Sequence, residues 1–288
     1  MPQTNRRMVF HAQAIGFGGI IGKENKQAAD RLIDVLGVSA LPGSGGRHSS
    51  VVTRKDIPYD LQRWVDFDRI TTKVEGRFTD PGAAFKISSD KNLDQSHFET
   101  TTMSEVTIEN LTVLGRFRAG LVTVKMFTGR PLTDGASSFY VREQDFKEVS
   151  FDNKPVAIET APEILSYDSF DRLQEAFGKH ANLFFEPRQE KKLDAIGQDI
   201  KQFFTGEPHK DHDAGVLFTF VSKVSLDGVS QGEQPNRLEI PEFGHVVFGE
   251  VRARKHSRRV GMLRFHLGSD DGMMADSCAI EDNGSWVP

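Results

Sequence analysis

The sequence predicts an α+β fold, predominantly antiparallel β with a helical segment inserted around residues 162–206. Three observations predict it. Segments such as "SEVTIENLTVL" and "FRAGLVTVKMF" alternate with period two through residues 49–160, the pattern of half-buried strands. Apolar residues then recur at helical spacing: Phe170, Leu173 and Phe177, followed by Leu193, Ile196, Ile200, Phe203 and Phe204. Strand patterns resume in "GVLFTFVSKVSL", "HVVFGEVRAR" and "RVGMLRFHL". Strand runs around a helical block read as one β-rich domain over 1–288, with 162–206 as a helical insert or small subdomain.

The elements follow in order. Residues 8–15, "MVFHAQAI", read as a strand. Ala29, Leu32, Ile33 and Leu36 sit at helical spacing with Gly37 as a stop, so a short helix is expected there. "LPGSGGRHSS", residues 41–50, reads as a flexible loop by composition. Strands are expected at "SSVVTR", "WVDFDRITTKVEGRF", "AFKIS" and "SFYVREQDFKEV". The clearest hairpin is "LTVLGRFRAG", residues 111–120, with Gly115-Arg116 expected as its two-residue turn. The two helices are bounded by Asp168 or Ser169 and Gly178, then by Pro187 and Gly206.

Composition narrows the function classes. The chain has 22 Phe against 3 Tyr and 2 Trp, which favours a dry core over an aromatic ligand platform, because Phe has no polar handle. A net charge of −5 gives no global attraction to nucleic acid or anionic membrane. The single cysteine, Cys278, excludes an intramolecular disulfide and a Cys-based zinc cluster. It lacks a nucleophile motif and reads as a small buried hydrophobe. No apolar run approaches the roughly 18–20 residues of a membrane-spanning helix, and the N-terminus lacks the apolar segment of a signal peptide. A cytoplasmic protein with no membrane span is expected.

"AIGFGGIIGKEN", residues 14–25, poses the question of a phosphate loop. The pattern G-x-x-x-x-G-K-[ST] requires glycine where Phe17 stands and Ser or Thr where Glu24 stands. The dinucleotide pattern requires glycine at Ile21. Glycines at a bend, a bulge or a close backbone approach explain the stretch better.

Three polar constellations remain. In "EPHKDHDAG", His209, Asp211, His212 and Asp213 follow Glu207, a set of imidazole and carboxylate groups suited to Zn, Mn or Fe. A metal there could activate water. Pro208 and the position between a helix and a strand point instead to a solvated loop. In "RARKHSRR", Arg252, Arg254, Lys255, Arg258 and Arg259 cluster at a hairpin tip. They are candidates for binding an anion, nucleic-acid phosphates or a protein partner, or for discouraging edge aggregation. On the same hairpin, Arg264 and His266 share one strand face, with Glu250 and Arg252 across the ladder. This Glu250/Arg264/His266 face could bind an anion or move a proton, although ordinary alternation also puts polar residues on a solvated face.

His11 and His97 are isolated, and no nucleophile elbow or kinase signature occurs. With no complete catalytic motif, the sequence reads as a β-rich interaction or assembly protein. It would present strand edges and the basic hairpin to a protein partner or to another copy of itself. The alternative is a metal- or anion-dependent enzyme using the 207–213 loop or the Glu250/Arg264/His266 face. A third reading is a nucleic-acid-associated factor using residues 252–259. No cofactor is specified.

Overall fold

The computed structural model describes residues 7–21, 31–79, 98–131, 137–185, 216–229, 232, 234–254, 256–267, 274–282 and 284–287. It overturns the α+β class. The described residues are nearly all antiparallel sheet, 65% strand and 8% helical.

The first strands are β1 (Arg7–Val9), β2 (Ala12–Ile21), β3 (Arg31–Ala40), β4 (Gly46–Thr53), β5 (Val65–Asp66), β6 (Arg69–Phe78), β7 (Thr100–Val113), β8 (Phe117–Arg130), β9 (Ser138–Lys147), β10 (Ser150–Phe151) and β11 (Lys154–Thr160). After one helix, α1 (Phe170–Ala176), come β12 (Phe184–Phe185), β13 (Val216–Thr219), β14 (Val221–Leu226), β15 (Arg237–Ile240), β16 (Gly244–Ala253), β17 (Arg258–Leu267), β18 (Met274–Asp282) and β19 (Ser285–Val287). One sheet runs β14-β11-β10-β8-β7-β6-β4, with β5 on β7 and β9 on β8. The other runs β12-β13-β16-β17-β18-β2-β3, with β15 on β16, while β1 pairs β19 separately. The two large sheets face each other, with β2 and β18 over β6, β7 and β8. Phe17, Phe117, Phe248 and Phe265 meet in the layer between them, with Phe117 and Phe265 edge to face at 5.1 Å. The phenylalanine-rich composition thus becomes a core of rings that ask for no hydrogen-bond partner.

Among the described residues, the expected helical insert holds one seven-residue α-helix. Phe170 and Leu173 are buried in it, but Phe177 lies beyond its end and is exposed. Pro162 opens a short 3-10 turn before it, and Ala181–Leu183 forms another before the chain re-enters a sheet at Phe184. Two turns of helix bury a single stripe against a β core, which is too little to form a layer. The second expected helix, residues 193–204, lies outside the described residues, as does "AFKIS".

The expected helix at 29–36 is strand β3 over its described part. Its pairing with β2 slips: Phe17 opposes Leu36 while Gly19 opposes Ile33, so β3 carries an extra residue. A bulge breaks the period of two and spaces apolar residues by three, which imitates a helix. The expected loop at 41–50 is a tight turn, closed by Gly45 N donating to Pro42 O, and then β4 from Gly46. At the 111–120 hairpin the turn sits one residue earlier than expected. Leu114 and Gly115 both have positive φ, and Arg116 N donates to Val113 O. Two positive φ values match the twist of the flanking strands.

A crease crosses the sheet that holds β2. Gly37, Gly16, Cys278, Met262 and Gly249 lie side by side on five neighbouring strands. They fall between the paired rows Val38–Ile15–Ala279–Gly261–Glu250 and Leu36–Phe17–Ser277–Leu263–Phe248. Gly37, Cys278 and Gly249 have φ of 69°, 55° and 59°. These left-handed residues interrupt the regular ladder along one line across the sheet. The glycine stretch finds its place here. Gly16 lies within β2, where a β-carbon would come 2.3 Å from Ile70 Cγ2 and 2.5 Å from Leu36 O. Lys23 and Glu24 lie outside the described residues.

Candidate functional site

The sheet edges are the first candidate surface. On one side, the chain passes from β13 in one sheet to β14 in the other through Phe220. This corner is fully bonded: Phe220 N donates to Gly249 O at 3.3 Å, and Ala161 N donates to Phe220 O at 2.7 Å. Thr219 Oγ1 donates to Gly249 O at 2.8 Å and accepts from Val221 N at 3.0 Å. Alongside, Asn236 Nδ2 donates to Phe248 O, Phe248 N donates to Asn236 O, and Val224 N donates to Pro235 O. On the other side, β3 pairs only with β2 and β4 only with β6 among the described residues. Val35, Val38 and Val51 are 46%, 44% and 60% exposed there, and most of β4 is exposed on both faces.

β16 and β17 form a hairpin, with Arg252 opposite Arg259 and Arg254 N donating to Ser257 O at 2.8 Å. Arg252 and Arg254 are exposed and Arg259 is half-buried; Lys255 lies outside the described residues. Arg259 also pairs in register with Glu281 on β18, an opposite charge beside two like charges on the same sheet face. Arg258 departs from its expected place at an exposed tip. It is 1% exposed and turned into the protein. Its guanidinium lies 5.0 Å from the Phe139 ring centre and donates to Tyr167 O at 3.3 Å. Burial pulls Arg258 down to about 10, against the opposing charge of Asp168. The physical reason is position: Arg258 is the first residue of β17 and pairs with buried Asp282, so alternation points it inward.

The Glu250/Arg264/His266 face is brought together in part. Arg264 Nη1 donates to Glu250 Oε2 at 3.1 Å and Nη2 to Glu250 Oε1, a forked ion pair on a half-buried surface. A carboxylate so engaged is a structural partner more than a free base. His266 instead stacks on His245, with ring centres 4.4 Å apart and planes 17° from parallel. His245 is its direct cross-strand partner. Arg237 Nη2 lies 3.3 Å from His245 Nδ1 and also pairs with Glu239 at 2.9 Å. Burial holds His245 down at about 3, helped by His266, Arg237 and Arg264. Sequence reading missed Arg237 and His245, because three strands that join only through register bring them together.

Also missed was a buried polar cross-link. Asp282, at the end of β18, accepts from Arg130 of β8 and Thr102 of β7. Both ionised partners are buried, and the pair ties the two sheets together. Burial pulls Arg130 down to about 10, which leaves it charged at neutral pH. Single charged residues at strand ends carry no signal of such a pairing in the sequence.

The metal candidates His209, Asp211, His212 and Asp213 lie outside the described residues. Among the described residues no group of three or more His, Cys, Asp or Glu is placed to hold a metal ion. No helix among them is long and apolar enough to cross a membrane. Cys278 is buried with Sγ 3.7 Å from Val122 O and 3.8 Å from Val106 O, and burial pushes its thiol well above the ordinary value, the setting of an inert thiol.

Comparison with curated proteins and with solved structures finds no match. A family model matches residues 8–254, from β1 through the end of β16 to the basic hairpin's tip. That span is most of the chain, so the protein belongs to the family described as a domain of unknown function, DUF8256.

Proposed function

We propose that the protein is a binding and assembly module whose contact surface is the β3/β4 edge, with another copy of the chain as first partner. One observation carries this reading: two neighbouring edge strands from different sheets end together with three exposed valines. Unpaired strand edges recruit further strands through main-chain hydrogen bonds, and alternate side chains select the partner. Natural sheets ordinarily blunt such edges with charge, proline or cover. Among the described side chains of this edge Val35, Val38 and Val51 are exposed, with Arg47 and His48 exposed toward the start of β4. An antiparallel strand pair of this kind is compatible with a two-fold dimer, in which the same patch meets itself. The exposed Arg252 and Arg254 lie on a separate hairpin and would steer an acidic partner without closing the edge. The module would work in a reducing compartment such as the cytoplasm, where its one buried cysteine needs no disulfide partner.

Sedimentation velocity across a range of concentrations tests this reading. The parent chain should show concentration-dependent association, and Val38→Lys with Val51→Lys should shift it to monomer. A parent that stays monomeric at all concentrations and captures no strand-forming partner through this edge would sink the proposal.

A further inference from the structure

We propose that Arg237, His245 and His266 form an acid-sensitive latch that holds β15 on the sheet. The argument starts from hydrogen-bond chemistry. A guanidinium only donates, so the Arg237–His245 contact at 3.3 Å requires Nδ1 of His245 to accept. Only a neutral imidazole has that lone pair. A proton on Nδ1 converts an attraction into a clash of two donors, both cationic.

The surroundings sharpen the effect. His245 is faced by Arg237 and Glu239 from β15 and by His266 and Arg264 from β17, with Glu250 further along its own strand. Asp276 of β18 is the register partner of Arg264. The two carboxylates are already engaged, Glu239 with Arg237 and Glu250 with Arg264. The half-buried stack therefore tolerates a neutral imidazole better than a charged one, in line with the depressed titration of His245. The element at stake is a short edge strand whose Leu238 and Ile240 are buried in the core. β15 has four residues and pairs only with β16 among the described residues. Its release would also loosen the neighbouring Asn236, which caps the main chain of Phe248.

Acid acts by mass action on the open form. An exposed His245 regains an ordinary value near 6.5, so lowering the pH from about 7.5 to about 5 raises the opening constant by about thirtyfold. Hydrogen–deuterium exchange on the full chain, corrected for intrinsic rates, reads this directly. Protection of the β15 amides should fall by about that factor in acid while β7 and β8 stay protected. In His245→Gln the side-chain oxygen still accepts from Arg237 but takes up no proton, and protection should become pH-independent. Unchanged β15 protection in the parent would overturn the latch. So would His245→Gln loosening as steeply as the parent. Carbon-13 titration of the parent imidazoles serves where the variant fails to fold: a closed-state His245 titrating near 6.5 also overturns it. Val38→Lys with Val51→Lys, tested in parallel, separates this result from any change in association.

Discussion

Where the chain crosses between sheets at Phe220, both backbone groups of the corner residue are bonded, one to Gly249 and one to Ala161. The flanking edge is covered by Pro235 and Asn236, whose polar groups take up the free main-chain groups of Val224 and Phe248. On the opposite side, β3 and β4 each pair with one neighbour among the described residues and expose valines. The same sheet architecture therefore ends in two ways. One edge is satisfied internally and contributes to stability. On the proposed contact edge the described residues give β3 and β4 one strand neighbour each, so residues there should matter to association far more than to folding.

Variants at the two edges can break this comparison. The largest effect is expected at the closed corner. Phe220→Ala removes a buried ring stacked on Phe146 at 6.3 Å, which should cost about 3–5 kcal/mol. Denaturant unfolding measures it, and a cost near zero would mean that the corner does not hold the sheets together. Acid comes next. His245 is depressed in the native state, so between pH 6.5 and about 3 the unfolded chain takes up a proton that the native stack refuses. The associated stability is fully present above 6.5 and is lost as the pH falls through that window. One proton sets an upper limit of roughly 1.4 kcal/mol per pH unit, and partial exposure of the ring trims it. Parent and His245→Gln unfolding curves should converge in slope if the stack is not responsible.

Asn236→Ala should cost about 1 kcal/mol, because it removes the shorter side-chain hydrogen bond to the buried Phe248 carbonyl and leaves the 3.3 Å one from Thr219 Oγ1. Calorimetry at neutral pH reports it. The smallest change in stability is expected from Val51→Lys on the open edge, within about 0.5 kcal/mol, while the same variant should reduce association in sedimentation. A large loss of stability there would show that β4 is a folding element rather than a contact edge.

Strand positions were legible in the sequence wherever alternation ran unbroken. β6, β7, β8, β16 and β17 all fall on segments read as strands, because a sheet with one wet and one dry face imposes period two on its residues. The misreadings cluster where the period breaks. β3 imitates a helix because of its extra residue. In the described part of the 162–206 block, the stripe of Phe170, Leu173 and Phe177 suggested a longer helix, but α1 stops after seven residues, before Phe177.

By itself, the sequence determined a phenylalanine-filled β core, the reach of the long hairpins and the misfit of the glycine stretch to a phosphate loop. All of these follow from local spacing and residue chemistry. Only the tertiary structure decided which charged groups are buried and which are available. Arg258 and Arg254 belong to one basic run, yet register turns the first into the core and leaves the second in water. His266 meets His245 rather than Glu250, and Asp282 meets Arg130 across the two sheets. Such pairings depend on strand order and register between segments far apart in the chain, and one residue of slip would send each side chain to the opposite face.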